Sequence, residues 1–309
     1  MITQDILDMV KSPSFNLDEV LKSYTSNTDN MTIISKSEVQ ILADSISPEG
    51  KRLTTFQLKF WRAILPEITR HRVFSFCVRS SRANPTANLI EQVMKAPYGP
   101  IEWGKNQKGM VAEETLSEAE TKSAIEAWKM AAFQAGTHAG ILSNLKVHKQ
   151  VVNRILEPFT YSDMVLAGTD FSNFFELREA SDAQPEIREL ALAMHKELDA
   201  STPVELKEGE WHLPYISAED KDKADIDTLC KVSCARCARV SYKAFDGSSS
   251  IDKDLALFKN LSGTVENLYL ENTMIYGASA TAALASSANN ATIKNVFVKG
   301  NVINTNNQT

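Results

Sequence analysis

Arg70, Arg72, Arg79 and Arg82 fall within TRHRVFSFCVRSSRANP, residues 69–85, with His71 between the first two and Ser80 and Ser81 between the last two. Guanidinium groups take phosphate oxygens through paired N–H donors, and hydroxyls add further donors. The cluster therefore suits an anionic ligand. The same stretch holds Val73, Phe74, Phe76 and Val78, an apolar run with the spacing of a strand or a short buried segment. Buried cations are costly unless a ligand or an acidic partner compensates them. By composition alone, charges that fan out from a strand into solvent are the commoner outcome.

Two more arginines lie on segments with helical spacing. Arg154 belongs to NRILEP (153–158), and Arg178 ends NFFELR (173–178), on a face shared with Phe174. An arginine beside phenylalanines is either a snorkelling surface residue or a desolvated cation aimed at a ligand. Asn173 opens that segment with an amide able to donate and accept.

Other motifs carry less. Cys230, Cys234 and Cys237 have the spacing of thiolates that hold an iron–sulfur cluster. However, KVSCARCARVSY reads as extended chain, which sends Cys234 and Cys237 to opposite faces. For zinc, the nearest histidine is His212, and a fourth ligand is lacking. The cysteines read as small buried residues, and no metal is expected. Neither GxGxxG nor GxxxxGK[ST] occurs, so no Rossmann fingerprint or P-loop supports nucleotide binding.

These side chains must be held by a soluble scaffold. The 309 residues are 43% hydrophobic with a net charge of −6, which argues against bulk binding of nucleic acid. No apolar run approaches the ~18 residues of a membrane span. The first residues lack a basic-then-apolar signal, and the cysteines form no disulfide framework, so a cytoplasmic setting is expected.

A β-like patch at Met31–Ile34 precedes a half-buried strand in which Phe56, Leu58 and Phe60 alternate. The Gly- and Pro-rich segment 96–110 is loop. Ser117 and Glu120 have capping-box spacing for a helix running to about Leu142. Further helices are expected at 147–156, at 170–178, and from Pro185 with Ile187, Leu190, Ala191, Met194 and Leu198 on one stripe. WHLPYI reads as extended, and 254–261 as a short helix.

Beyond Leu261 the composition turns to Asn, Ala, Ser and Thr. VENLYLENTMIY (265–276) aligns with IKNVFVKGNVIN (293–304), pairing Val265 with Ile293, Asn267 with Asn295, Leu268 with Val296, Leu270 with Val298 and Ile275 with Ile303. Such a repeat is the mark of parallel β-helix coils; a disordered tail is the alternative. Two domains follow, 1–261 and 262–309.

RHR at 70–72, seven residues and then Ser80 resemble the RHR-x7-S signature of flavin-dependent thymidylate synthases. NRILEP, NFFELR with DAQPEIR after it, and CARVSY (237–242) resemble further blocks of that family, and WGKNQKGM (103–110) resembles a longer phage and bacterial branch. The resemblance implies an α/β fold with a helical half, a homotetramer, and reductive methylation of dUMP to dTMP. FAD, NADPH and 5,10-methylenetetrahydrofolate would be required, with no covalent enzyme nucleophile. It implies that Arg70, His71, Arg72 and Asn173 contact FAD. Glu67, Arg70, Ser80, Arg82, Arg154 and Arg178 would hold dUMP, Arg154 from another subunit, with Arg178 catalytic at the uracil. Hydroxymethylation on the same scaffold, or a synthase relic fused to an attachment segment, are the alternatives.

The chain departs from the family pattern at Cys77, Val78, Ala167 and Thr169. The CARVSY block comes last, as in a permuted branch, and the usual histidine segment does not follow Leu261. These departures predict a lowered affinity for FAD.

Overall fold

The computed structural model describes residues 28–109 and 112–238, together with strands at 258–266, 269–277, 285–294 and 297–304. The chain divides into two compact units, Met1–Lys243 and Ala244–Thr309. The division falls ahead of the compositional change after Leu261.

The first unit is built on one sheet with strand order β3-β4-β2-β1-β5. The strands are β1 Glu38–Ile46, β2 Arg52–Trp61, β3 Ser75–Val78, β4 Tyr161–Gly168 and β5 Val204–Glu205. Neighbours are antiparallel except β1 and β5. Eight α-helices complete the described residues: α1 Leu65–Ile68, α2 Thr86–Lys95, α3 Glu118–Asn144, α4 Lys149–Leu156, α5 Ser172–Arg178, α6 Pro185–Ala200, α7 Ala218–Lys223 and α8 Ile226–Ala238. The expected α/β class is present. No helix among the described residues is long and apolar enough to cross a membrane.

Phe56, Leu58 and Phe60 of β2 share one face as expected, but the strand is not half-buried: Thr55 and Gln57 on its other face are buried too. Phe56, Leu58 and Phe60 are all buried, and Met164 and Leu166 of β4 join them on the same face. Phe171, just before α5, and the apolar sides of α5 and α6 close over that face, the helices supplying Phe174, Ile187, Leu190 and Met194. Each such buried side chain contributes about 1.5–3 kcal/mol. A second cluster joins α2, α3 and α4 through Leu89, Val93, Ala132, Ala139, Val152 and Leu156. Ser117 and Glu120 form the expected capping box at the start of α3. Gly136 permits the close approach of α2, because a Cβ there would lie 2.5 Å from Met94 Cγ.

Several expectations are corrected. Met31–Ile34 supplies only a single bridge, between Ile34 and Tyr98. WHLPYI is not a strand: Tyr215 takes a φ of 61°, which turns the chain, and its hydroxyl donates to Gln57 Oε1 at 2.8 Å. KVSCARCA is helical, not extended. Asp225 Oδ1 accepts from Thr228 N at 2.9 Å as a cap, and Lys231 pairs with Asp227 one turn away. Cys230, Cys234 and Cys237 therefore share one side of α8 instead of alternating. The remainder of the CARVSY block lies outside the described residues. In the arginine-rich stretch only Phe74 is fully part of the core; Val78 packs against it from the rim, and Val73 and Phe76 are 66% and 41% exposed.

In the second unit, β6 Phe258–Glu266 pairs in parallel with β8 Ala285–Lys294, and β7 Tyr269–Gly277 with β9 Phe297–Asn304. The helix expected over 254–261 is replaced from Phe258 onwards by β6, and its earlier residues lie outside the described ones. Val265 faces Ile293 and Leu270 faces Val298, as the repeat predicts. A register shift between Glu271 and Thr273 then sets Ile275 against Val302 and Tyr276 against Ile303. The Leu268/Val296 and Asn267/Asn295 matches lie outside the described residues.

Candidate active site

α1 opens with Leu65 and Pro66 and ends in a run of tight turns. Arg70 N donates to Glu67 O at 3.3 Å, His71 N to Ile68 O at 3.1 Å, and Phe74 N to His71 O at 3.2 Å. This winding turns His71 inward and leaves Arg70 and Arg72 exposed. His71 is only 8% exposed, with its ring edge-on to Phe174 at 4.9 Å and near Phe74 at 6.1 Å.

Arg178, the last residue of α5, reaches this ring across 107 residues of sequence: its Nε donates to His71 Nε2 at 3.0 Å. Its Nη1 lies 3.7 Å from Glu67 Oε2. Burial first, and the Arg178 charge second, hold the imidazole pKa below the ordinary histidine range. The ring is therefore a neutral acceptor at Nε2. Glu67, His71 and Arg178 are brought together. Asn173 is exposed at the opposite end of α5 from Arg178.

A second group forms where β3 ends. Ser80 caps the single turn Ser81–Ala83, its hydroxyl accepting from Arg82 N at 3.3 Å. Ser81 Oγ donates to Glu157 Oε1 at 2.6 Å. Arg154 Nη1 donates to the same oxygen at 2.9 Å, and Arg62 Nη2 lies 3.4 Å from it. Asn153 is 1% exposed and holds the loop from beneath. Its Nδ2 donates to Ser81 O at 2.8 Å and Asn84 O at 3.1 Å, while Oδ1 accepts from Thr86 Oγ1 at 2.9 Å. Ser80, Arg82 and Arg154 thus sit on one loop-and-helix assembly with their side chains exposed. Arg154 meets this loop within its own chain.

Arg79 is directed elsewhere, to the buried Asp163 of β4 at 2.9 Å. Burial raises that carboxyl, and Arg79 offsets part of the rise. Sequence reasoning missed Glu157 and Asn153, and it named Ser81 in the cluster without its bond to Glu157. NRILEP contains the first two, and the Arg154–Glu157 spacing of three was a readable pairing signal.

Cys77 Sγ, on β3, lies 4.0 Å from Ala238 O at the end of α8. Burial, then Cys234 and Cys77, push the Cys237 thiol up to about 11. No three His, Cys, Asp or Glu side chains among the described residues are placed to hold a metal ion.

The donor set fits the diphosphate of a flavin nucleotide in kind. Arg70 and Arg72 are exposed guanidinium groups on a turn whose main chain is fixed by hydrogen bonds.

Comparison with known proteins adds a family. Residues 51–204 match the model of the thymidylate synthase complementing protein family. That span includes Glu67, the arginine-rich stretch, Arg154, Asn173 and Arg178, and stops before CARVSY. No curated protein matches the chain. Among solved structures the chain is similar to a UMP/dUMP methylase PolB from Streptomyces cacaoi bound with 5-Br UMP. The identity is 16%, over 69% of this chain and 99% of that one, with a TM-score of 0.46. It is also similar to a flavin-dependent thymidylate synthase, ThyX, from Helicobacter pylori complexed with FAD and dUMP. That identity is 19%, over 49% of this chain and 68% of the other, with a TM-score of 0.33.

Proposed function

With residues 51–204 belonging to the thymidylate synthase complementing protein family, we propose that the chain is an FAD-dependent enzyme that methylates dUMP to dTMP. 5,10-Methylenetetrahydrofolate would be the carbon source and NADPH the reductant. The observation that carries this reading is the convergence of Arg178 with Glu67 and His71 of the arginine-rich turn, inside the matched span.

Uracil C5 is a poor nucleophile until N3 loses its proton. Arg178 is a fixed cation on a half-buried site, and its Nη2 makes neither of the contacts to His71 and Glu67. Set beside N3 and the adjacent carbonyl, it stabilises the anion and moves negative charge towards C5. No protein nucleophile is then needed, and the exposed Ser80, Arg82 and Arg154 are left to hold the nucleotide phosphate. Arg70 and Arg72 would hold the flavin nucleotide, and Asn173 adds an exposed amide. Bound FAD would supply the carbon and hydride transfer.

The shared-site homotetramer implied by the resemblance belongs to the same proposal. Titrating the protein with FAD and then dUMP, followed by absorbance, tests the reading. A flavin spectrum that shifts on dUMP addition, and does so less in Arg178→Ala, is expected. Absence of any flavin binding at high micromolar FAD overturns it.

A further inference from the structure

We infer that His71 is a positioning residue for Arg178, an uncharged acceptor that aims the guanidinium without neutralising it. This inference rests on the proposed site. It is additional to the flavin contact that the family resemblance implies for this histidine.

An arginine whose charge is to act on a ligand must be held in one orientation. A free guanidinium at a helix end samples many rotamers, and each costs orientation. A carboxylate can fix it, but a charge-assisted pair also spends the positive charge on the protein. His71 avoids this. The Arg178 Nε–H bond to His71 Nε2 is 3.0 Å, a normal hydrogen-bond length, and it fixes the plane of the guanidinium. Glu67, the carboxylate on the same turn, stands further off at 3.7 Å from Nη1. Arg178 thus meets the carboxylate only at this longer distance, and its Nη2 lies outside both contacts.

The acceptor is itself held. Phe174 meets its ring edge-on, Phe74 lies on another side, and the turn bond from Phe74 N to His71 O fixes its main chain. Phe174 sits one helical turn before Arg178 on α5, so a single helix both packs the histidine and presents the arginine. With Nε2 accepting, the ring proton is on Nδ1. The fold keeps the ring neutral, since burial and Arg178 both disfavour imidazolium.

Three substitutions separate this role from packing. His71→Phe keeps an aromatic ring and removes the acceptor. His71→Gln restores a neutral acceptor without the ring. His71→Glu restores an acceptor that also cancels charge. In full-length protein labelled with 15N-arginine, the Arg178 Nε–H signal, assigned by its loss in Arg178→Lys, is expected to be protected from exchange in the wild type and in His71→Gln. It should become unprotected in His71→Phe. In turnover of dUMP, kcat is expected to fall about tenfold to a hundredfold in His71→Phe and in His71→Glu, with KM changing less. His71→Gln is expected to recover most of it. A protected Nε–H in His71→Phe, or a His71→Gln as impaired as His71→Phe while equally folded, overturns the inference. If the wild type does not turn over dUMP, the proposed function fails, and the Nε–H signal still decides whether His71 positions Arg178.

Discussion

Replacing Asn153 with alanine removes three hydrogen bonds from a side chain that is 1% exposed. Two of them hold the carbonyls of Ser81 and Asn84, both buried residues, and one holds the Thr86 hydroxyl. Each bond is worth about 1 kcal/mol net, and removing the donor to the Asn84 carbonyl adds to the loss, while Ser81 O keeps the Asn84 N–H at 3.3 Å, so the expected destabilisation is about 3–5 kcal/mol. For a unit of this size that corresponds to a fall in Tm of about 10 °C. Asn153→Asp is more instructive. It keeps the acceptor for Thr86 and points a carboxylate at two carbonyls, so it is expected to be less stable than Asn153→Ala at neutral pH. Equilibrium urea unfolding gives both values, and hydrogen exchange at Arg82 to Asn84 should accelerate in both. A loss below about 1 kcal/mol for Asn153→Ala, or an aspartate variant as stable as the wild type, would refute the claim that this amide supports the Ser80–Arg82 loop.

Gly168→Ala places a Cβ 2.8 Å from Phe74 Cδ1 and 3.1 Å from Phe171 Cζ, so a loss of about 1–3 kcal/mol is expected in thermal unfolding, with near-UV signals of these rings disturbed. His212 accepts or donates through both ring nitrogens, to Ser45 Oγ at 2.7 Å and Thr55 Oγ1 at 2.8 Å, and burial holds its pKa below the ordinary range. The unfolded chain then takes up the proton first, near pH ~6.5, and stability falls as pH drops below that point. Urea unfolding from pH 7.5 to 5 should show this slope, and His212→Gln should flatten it; an unchanged slope in that variant contradicts the assignment. Thiol labelling at pH 8 should modify the exposed Cys234 well before Cys237, whose pKa stands at about 11, and equal rates by peptide mass analysis would contradict that order.

Elements whose signals are local were readable from the sequence. The capping box of Ser117 and Glu120, Pro185 at the start of α6, and the alternation through Phe56, Leu58 and Phe60 each declare an element within a few residues. The misreadings arose where two periods fit one short segment. Val232, Cys234 and Arg236 alternate, yet Asp225 caps a helix that runs through them, and the cap outweighs the alternation. In the RHR stretch, alternation gave a strand but not which neighbours cover it, so the exposure of Val73 and Phe76 was invisible. The site was legible as a set of residue types and as a motif. Its internal wiring was not, because the contact between His71 and Arg178 spans 107 residues and depends on how α5 packs against the turn after α1. Glu157 was only partly legible: Arg154 lies three residues before it, but Ser81 and Arg62 come from distant segments.

In the proposed function, an arginine and not a protein nucleophile activates dUMP for methylation. The most direct measurement is mass analysis of the product formed from dUMP with FAD, 5,10-methylenetetrahydrofolate and NADPH, for wild type and Arg178→Ala. Expected are dTMP from the wild type, none without FAD, and a loss of at least about a hundredfold in Arg178→Ala with no mass adduct of enzyme and uracil trapped. A hydroxymethyl product, a trapped covalent adduct, or an Arg178→Ala variant with full activity would contradict it.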